Sequence, residues 1–343
     1  MTNRNHTNTD GPRRRRPTMV DVAREANVAL RTVSRYVNND PTVGIDLADR
    51  IRAAITAPDY APDERAQQLR RGTTGIVGVT VRSIAGPNPL LGAVDQAARV
   101  HGLTVLAMAT DDDDQRERAA VLSMCGRRVD GIIMEPTSDN HQYLATEIES
   151  GMSVVAVDRR NAGIDTDAVV SDNAAGVGMA FRHLVQHGHH RITYIGDQER
   201  VYTGSKRAAA FRACTAANGG AVDNMVHPGA VEPARIAAAL AIVLGGDLPA
   251  TALITGNQNT TIEVLRQLGS RTGVPAIVGF DDFPLADLLQ PGLTAIAQDS
   301  RKIGRLAFDL LLPRIADPTR PTETVTLPVE LIVRGSGEQP PPA

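Results

Sequence analysis

Residues 20–39 read VDVAREANVALRTVSRYVNN, and small apolar residues recur through them at helical intervals. The apolar positions are Val22, Ala23, Ala26, Val33 and Val37. Asn27 interrupts them, and asparagine tolerates the left-handed backbone that a tight turn requires. The stretch therefore predicts two short helices that meet at Asn27 and share a small core of valine and alanine.

The second of these helices keeps its remaining residues on one face. They fall at i, i+1, i+4, i+5 and i+8 and are Leu30, Arg31, Ser34, Arg35 and Asn38. A helix pair that presents Arg, Ser and Asn outward is typical of a helix-turn-helix, whose second helix enters the major groove of DNA. From this stretch alone, a solvated amphipathic helix pair is an equally good interpretation.

The charge of the chain is unevenly distributed. The 343 residues carry a formal net charge of −3, but residues 1–72 hold 13 Arg against 9 acidic residues, a net charge of +4. Residues 73–343 therefore carry a net charge of −7. A basic N-terminal segment followed by an acidic remainder indicates two modules, of which the first binds a phosphate-bearing partner and the second does not.

Cysteine content and the longest apolar segment bear on the compartment. Cys125 and Cys214 are the only cysteines, and their separation disfavours a disulfide framework or a zinc cluster. No apolar segment follows Arg13–Arg16, and the longest apolar run, residues 236–244, is too short to span a bilayer. We therefore expect a soluble protein of the cytoplasm.

The first 72 residues divide into three segments. Residues 1–17 are polar and arginine-rich, which is typical of a disordered basic arm. Residues 18–59 hold the helix pair and a third amphipathic helix over 46–55. Residues 60–72 lie between a proline that can open a helix and a glycine that can end one. So short a helix is unstable in isolation, so we expect it to fold only when something stabilises it.

From residue 76 onward, short β-rich runs alternate with helical patterns. Candidate strands of a first series are 76–81, 103–109, 130–134, 153–158 and 168–172; those of a second are 191–196, 250–256, 275–280, 293–298 and 324–331. Near-continuous apolar strands alternating with helices predict parallel sheets covered on both faces, here in two lobes. Ligands in such folds bind beyond the carboxyl ends of the strands, which favours a cleft between the lobes. Residues 335–343 are predicted to be a disordered tail.

A helix-turn-helix, a short linker and a two-lobed body together resemble the lactose-repressor (LacI/GalR) family of bacterial transcription regulators. The resemblance runs from about residue 18 to residue 334 and rests in the head on DVAREANV, TVSRYVN and YAPDERAQQL. In the body it rests on VDGIIM, VVAVDRR, VSDNAAG, HLVQHGHHRITYIG, VGFDD and LTAIAQD. It implies an all-α DNA-binding head with a hinge helix over 60–72, and a two-lobed, periplasmic-binding-protein-like α/β core with parallel sheets over 73–334. It also implies a homodimer on double-stranded operator DNA.

The resemblance makes the second helix of the head the recognition helix. The implied contacts are, with bases, Leu30, Arg31 and Arg35 and, with phosphates, Thr32, Ser34 and Asn38. Arginine suits base reading because its fork matches guanine O6 and N7. In the linker, Gln67 and Leu69 match family positions, and the leucine is implied to enter the minor groove at the dimer centre. Ala29 stands where the family usually has serine, so a capping acceptor is missing.

Four residues of the body match effector-binding positions of the family. Asp158 and Asp281 each end a strand, and a carboxylate accepts hydrogen bonds from neighbouring hydroxyls. Arg207 matches the effector-contacting arginine, and Asn257 matches the asparagine of an Asn-Asp pair whose second member is Gln258 in this chain. The implied effector is carbohydrate-like. Two alternatives stay open: an anionic metabolite that meets Arg207, and a purely structural role in capping helices and bracing the lobes.

These observations favour an effector-controlled DNA-binding repressor that is not an enzyme and has no cofactor. Four histidines, His183, His187, His189 and His190, include a pair with zinc-ligand spacing, but the carboxylate of a metalloprotease is missing, so we predict no metal site. An enzyme would need a nucleophile or a cofactor loop that the sequence does not display. A two-lobed solute-binding protein of transport is the main alternative, but it leaves residues 18–72 unexplained.

Overall fold

The computed structural model describes residues 18–37, 40–56, 73–220, 225–245, 247–269 and 273–341. The chain divides into two units, Met1–Thr74 and Gly75–Ala343, which we call the head and the body. The predicted arm over 1–17 and hinge helix over 60–72 lie outside the described residues.

The described part of the head contains the helices α1 (Met19–Glu25), α2 (Leu30–Val37) and α3 (Ile45–Thr56). Asn27 lies between α1 and α2 with φ +49°, the left-handed backbone that the turn requires. Arg50 of α3 donates to the carbonyls of Ala26 and Asn27 at 2.6 and 3.0 Å, so α3 supports this turn. The buried core consists of Val22, Ala23, Ala26, Val33, Ile51 and Ala54. The predicted helix pair and third helix are confirmed.

Strands and helices alternate along the described part of the body. The strands are β1 (Ile76–Val81), β2 (Thr104–Ala109), β3 (Gly131–Met134), β4 (Ser153–Val157), β5 (Asp167–Ser171), β6 (Ile192–Ile195), β7 (Val226–His227), β8 (Ala252–Thr255), β9 (Ala276–Phe280), β10 (Thr294–Ala297), β11 (Thr324–Leu327) and β12 (Glu330–Ile332). The α-helices are α4 (Pro89–Val100), α5 (Asp114–Gly126), α6 (Ala145–Glu149), α7 (Asn173–Gln186), α8 (Tyr202–Ala217), α9 (Pro233–Leu244), α10 (Gln258–Leu268) and α11 (Ser300–Ala316). Within the described residues, no helix is long and apolar enough to cross a bilayer.

In the described part of the body, two six-stranded sheets define two lobes. The N lobe has the strand order β11-β5-β4-β3-β1-β2, all parallel; α4 and α11 pack on one face and α5 on the other. The C lobe has the order β12-β10-β9-β8-β6-β7, parallel except where β12 meets β10. Here α7 and α8 cover one face, and α9 and α10 the other. The predicted doubly wound lobes are confirmed.

The prediction of a single strand over residues 324–331 is wrong. The segment forms β11 at the edge of the N-lobe sheet and β12 at the edge of the C-lobe sheet. Pro328 lies between them, and proline has no N–H with which to continue a ladder. The chain therefore crosses between the lobes here, as it does between β5 and α7 and between β10 and α11.

The prediction of a disordered tail over residues 335–343 is also wrong for the part that the structure describes, which ends at residue 341. The Oγ of Ser336 donates to the carbonyl of Ile277 at 2.6 Å. Thr294 donates through Oγ1 to a carboxylate oxygen of Glu338 at 3.0 Å. The segment is rich in Gly and Pro, and this composition predicted disorder. Its few polar side chains nevertheless form specific hydrogen bonds along the C-lobe sheet.

Candidate functional sites

The cleft between the two lobes collects polar side chains from the carboxyl ends of the strands. The residues that follow β1, β3, β4, β9 and β10 and line it are Arg82, Glu135, Asp158, Asp281 and Gln298. Two adjoining cavities, of about 240 and 580 Å³, lie along it. This is the place where a doubly wound fold binds its ligand.

Asp158 and Asp281 occupy equivalent positions in the two lobes. Each follows a central strand with a left-handed backbone, φ +63° and +71°, and its amide donates at 2.9 Å to the neighbouring strand, to Val169 and Ile296 respectively. Such a backbone is strained for a residue with a side chain and is concentrated at functional sites. The structure thus brings the two predicted carboxylates to the same cleft, one from each lobe.

The Asp281 carboxylate is held on both oxygens. Oδ1 accepts from Gln298 Nε2 at 2.5 Å, and Oδ2 accepts from the amide of Gln258 at 3.4 Å. The carboxylate of Asp158 has a looser partner, since its Oδ2 lies 3.7 Å from Arg159 Nε. Asp158 therefore keeps more acceptor capacity for a ligand.

Arg207 is buried beneath the C-lobe side of the cleft, and neither cavity is lined by it. Its Nε donates to Asn173 Oδ1 at 2.6 Å and its Nη1 to the carbonyl of Gly256 at 2.7 Å. Nη1 also lies 3.7 Å from Asp281 Oδ2, and the guanidinium stacks 3.6 Å from the centroid of the Phe280 ring. Arg207 thus braces Asp281 from behind.

Asn257 caps helix α10. Its Oδ1 accepts from the amide of Thr260 at 2.8 Å, and its Nδ2 donates to Asp197 Oδ2 at 3.4 Å. It lines neither cavity, whereas its neighbour Gln258 lines both. Asn257 therefore has the structural role of a helix cap, which was the alternative to effector binding.

The sequence analysis missed an ion pair between Arg82 and Glu135 in the N lobe. Arg82 Nε donates to Oε1 of Glu135 at 2.6 Å, and the Arg82 amide donates to Oε2 at 3.1 Å. The Glu135 carboxylate raises the pKa of Arg82 above its usual range. The sequence does show that Arg82 and Glu135 each directly follow an apolar strand. That the two side chains pair depends on β1 and β3 being neighbours in the sheet, which the sequence does not show.

Arg159, also missed, links the lobes beside the cleft. Its Nη1 donates to the carbonyl of Pro136 at 3.1 Å and to Asp112 Oδ1 at 3.3 Å, both in the N lobe. Its Nη2 lies 4.0 Å from Asp197 Oδ2 in the C lobe. Arg159 is only 2% exposed, whereas the Asp197 side chain is 20% exposed, so this contact between the lobes lies at the margin of the cleft and is still reached by solvent.

In the head, α2 turns its predicted DNA-contacting face outward. Leu30 is 48% exposed, Arg31 and Arg35 are exposed, and Thr32 and Ser34 are half-buried. Asn38, Gln67 and Leu69 lie outside the described residues.

Arg35 is oriented by the segment that precedes α3. Its Nε donates to Asp40 Oδ2 at 2.9 Å, and its Nη2 contacts Thr42 Oγ1. Hydrogen bonds from the Thr42 hydroxyl and amide, together with Arg35, lower the pKa of Asp40 to about 2. Asp40 is therefore ionised at every physiological pH and stays available to hold Arg35.

The histidines singled out in the sequence have partners of other kinds. His183 Nε2 contacts the Glu338 carboxylate, and His189 bonds Thr251 Oγ1 at 3.0 Å and the carbonyl of Gln339 at 2.8 Å. Among the described residues, no group of three or more His, Cys, Asp or Glu side chains has the geometry of a metal site.

Comparison with known proteins places this architecture in a family. A model described as bacterial regulatory proteins, lacI family, matches residues 18–63, and one described as a periplasmic binding protein-like domain matches residues 181–337. The transcriptional regulator PtxS of Pseudomonas plecoglossicida is 33% identical over 331 residues, covering 94% of this chain and 96% of that one. The ribose operon repressor of Escherichia coli K12 is 30% identical over 328 residues, covering 93% and 99%.

Solved structures agree with this assignment. A ribose operon repressor structure from Burkholderia thailandensis, itself described as putative, is 31% identical with a TM-score of 0.67, covering 75% of this chain and 98% of that one. The lac repressor dimer bound to operator and the anti-inducer ONPF has a TM-score of 0.82 and covers 94% and 99%; at 23% identity it shows the fold alone. A complex of the regulator CelR with cellobiose is 25% identical, with a TM-score of 0.67 and coverage of 94% and 100%.

The chain belongs to the lacI family of bacterial regulatory proteins. It is a helix-turn-helix transcriptional regulator that binds DNA through its head, and members of this family are DNA-binding regulators rather than enzymes.

Proposed function

We propose that this chain is a repressor that binds a near-palindromic operator as a homodimer and is controlled by a carbohydrate-like effector in the cleft between the lobes. One observation carries the effector part: Asp158 and Asp281 reach the same cleft from equivalent strand ends of two lobes. A ligand that donates hydroxyls to both carboxylates stabilises one arrangement of the lobes over others.

The charge of the cleft favours an uncharged polyhydroxylated effector over an anion. Within the described part of the chain, the side chains that line the two cavities include six carboxylates, those of Asp111, Asp112, Glu135, Asp158, Asp281 and Asp282, and a single arginine, Arg82. The anionic alternative relied on Arg207, whose Nε and Nη1 are already engaged by Asn173 and Gly256. An ionised carboxylate accepts hydrogen bonds and cannot donate them, so these side chains are suited to bind hydroxyl donors.

For DNA, we propose the roles that the family resemblance assigns. Leu30, Arg31 and Arg35 read base edges in the major groove, while Thr32, Ser34 and Asn38 hold phosphates. Gln67 and Leu69 act in the hinge at the dimer centre. Two heads related by a two-fold axis require a site with the same symmetry.

A solute-binding protein without a DNA role is the second candidate. It shares the two-lobed body but gives no reason for the outward arginines of α2, so we favour the regulator. We further propose that the protein acts in the cytoplasm, where its operator is, and has no enzymatic activity.

Selection of DNA from a random pool tests this function directly. The full chain is expected to enrich a near-palindrome, and Arg35→Ala is expected to lose the preference at one base position in each half-site. Arg24→Ala is the matched control, because Arg24 is an exposed arginine of α1 that pairs with Asp21 at 3.5 Å. Failure of the parent to enrich any motif would remove the repressor proposal, and an identical motif for parent and Arg35→Ala would remove the assignment of Arg35.

A further inference from the structure

Arg82 stands out among the charged residues of the cleft because its guanidinium is only partly used. Within the described residues, its one side-chain hydrogen bond runs from Nε to Glu135 Oε1 at 2.6 Å, which leaves Nη1 and Nη2 without a protein acceptor. The side chain is 34% exposed, whereas that of Glu135 is 9% exposed. Arg82 is therefore the more exposed member of the pair, and its two terminal nitrogens remain available to a ligand.

The Arg82 side chain lines both cavities. Arg82 and Glu135 are among the residues that line the cavity of about 240 Å³ and the adjoining cavity of about 580 Å³. Among the residues that the structure describes, Arg82 is the only basic one that lines either of them. A ligand in the cleft consequently meets one pair of strong donors at this point, surrounded by acceptors.

Glu135 fixes the direction of that edge. One carboxylate oxygen accepts from the Arg82 side chain and the other from the Arg82 amide at 3.1 Å, so the pair is tied at both ends to neighbouring strands. A planar guanidinium held through Nε presents its remaining nitrogens in a fixed fork. Such pre-organisation reduces the entropy lost when a ligand binds.

The surrounding charges determine what the fork can accept. The carboxylates of Asp158, Asp112 and Asp281 raise the pKa of Arg82 further, in addition to its partner Glu135. An anion at the fork would meet the field of these carboxylates, whereas an uncharged ligand would offer oxygen acceptors to Arg82 and hydroxyl donors to Asp158. The arrangement selects by charge as well as by shape.

We propose that Arg82, positioned by Glu135, is a specificity-determining residue of the cleft that binds oxygen acceptors of an uncharged polyhydroxylated effector and that the carboxylates around it reject anionic analogues. This rests on the proposed function, since it assumes that the cleft is the effector site. It adds a contact from β1 to the two predicted carboxylates of β4 and β9.

The experiment measures binding of a charge-matched panel to the full chain by calorimetry. The panel contains neutral pentoses and hexoses, D-ribose and D-glucose among them, each with its aldonate and its phosphate ester. At least one neutral sugar is expected to bind, with its aldonate and phosphate at least tenfold weaker. Arg82→Lys keeps the charge beside Glu135 but loses the fork, and it is expected to bind the same sugar at least tenfold more weakly.

Two further measurements keep a folding defect separate from a binding defect. The thermal midpoint of Arg82→Lys without ligand should match that of the parent. Glu135→Gln retains the Arg82 residue but weakens the ion pair that positions it, so this variant should also bind the sugar more weakly. Arg305→Ala is the matched control, because Arg305 pairs through Nε with Asp309 at 3.0 Å on the exposed side of the same lobe. It should bind within twofold of the parent.

The remaining outcomes overturn the inference in distinguishable ways. Equal binding by Arg82→Lys and the parent would show that Arg82 is not part of the site, while the proposed effector class would stand. Binding confined to aldonates or phosphates would make the Arg82 fork an anion site and reverse the assignment. If no member of the panel binds the parent, the proposed carbohydrate-like effector fails, and this inference fails with it.

Discussion

Ala29 occupies the N-cap position of α2, immediately before Leu30. Alanine has no side-chain oxygen to accept from the free amides of the first helical turn, although its carbonyl accepts from the amides of Thr32 and Val33. We expect Ala29→Ser to stabilise the head by about 1 kcal/mol. Chemical denaturation followed by a signal from the head measures this. A decrease in stability would contradict the inference that a missing cap at Ala29 costs the head stability.

At the scale of residues, strand ends were the most informative feature of the sequence. Asp158 and Asp281 were predicted because they match effector-binding positions of the family at the ends of candidate strands, and both line the cleft. Arg207 and Asn257 were predicted from their match to family positions, but their burial and their bonds to Asn173 and Thr260 could not be read from sequence. Such details depend on which neighbouring groups are unsatisfied, and this emerges only when the lobe is assembled.

Helix α11 offers a test of how burial changes the value of an ion pair. Arg314 is 8% exposed and donates to both oxygens of Asp167, at 2.8 and 3.0 Å, and to the carbonyl of Pro321 at 2.8 Å. Arg314→Ala leaves the Asp167 carboxylate buried without its counter-ion and with only the Glu323 amide, at 2.8 Å, as a donor among the described residues, so we expect a loss of about 3–5 kcal/mol.

Arg305→Ala on the same helix is the control for that prediction. Arg305 and Asp309 are 59% and 42% exposed, and an exposed pair contributes less than about 1 kcal/mol. Urea denaturation of the two variants compares them directly. Equal losses would show that the Asp167 carboxylate finds other partners when Arg314 is removed.

The burial of His189 makes the stability of the folded chain depend on pH. His189 is fully buried, and this burial lowers its pKa, although the Gln339 carbonyl opposes the shift. Below about pH 6.5 the unfolded chain therefore binds a proton at this histidine that the folded chain does not bind. The free energy of unfolding consequently decreases as the pH is lowered below about 6.5, by up to about 1.4 kcal/mol per pH unit. This contribution is fully present above that pH.

His189→Gln should flatten the profile of thermal midpoint against pH between 7 and 5. His190→Gln, at an exposed neighbouring position, should retain the slope of the parent. A slope that is identical in all three proteins would exclude His189 as its source.

At the scale of elements, apolar periodicity predicted the strands and helices of both lobes, because fully buried parallel strands are nearly continuous apolar runs. Its failures have specific causes. Pro328 divides one apolar run between two sheets, and β7 is too short, at two residues, to leave a pattern. The segment after residue 334 is rich in Gly and Pro, yet it has partners in the C lobe, and composition carries no information about partners.

At the scale of the whole molecule, the body is two lobes joined where the chain crosses between them, with contacts between lobes beside the cleft. Arg159 approaches Asp197 at 4.0 Å, and Arg200 lies 3.4 Å from both carboxylate oxygens of Asp114. These polar contacts can be exchanged for others without unpacking either hydrophobic core. A ligand in the cleft can therefore change the arrangement of the lobes at modest energetic cost.

Reciprocal binding is the measurement that tests the central claim most directly. The affinity of the full chain for its selected operator is measured with and without the sugar that binds best, and the affinity for that sugar is measured with and without saturating operator. The account predicts that both affinities change by the same factor, about 5–150-fold, because coupling between two sites is reciprocal. Weaker binding in both directions identifies an inducer, and stronger binding identifies a corepressor. Affinities that are unchanged in both directions would contradict control of DNA binding by an effector in the cleft.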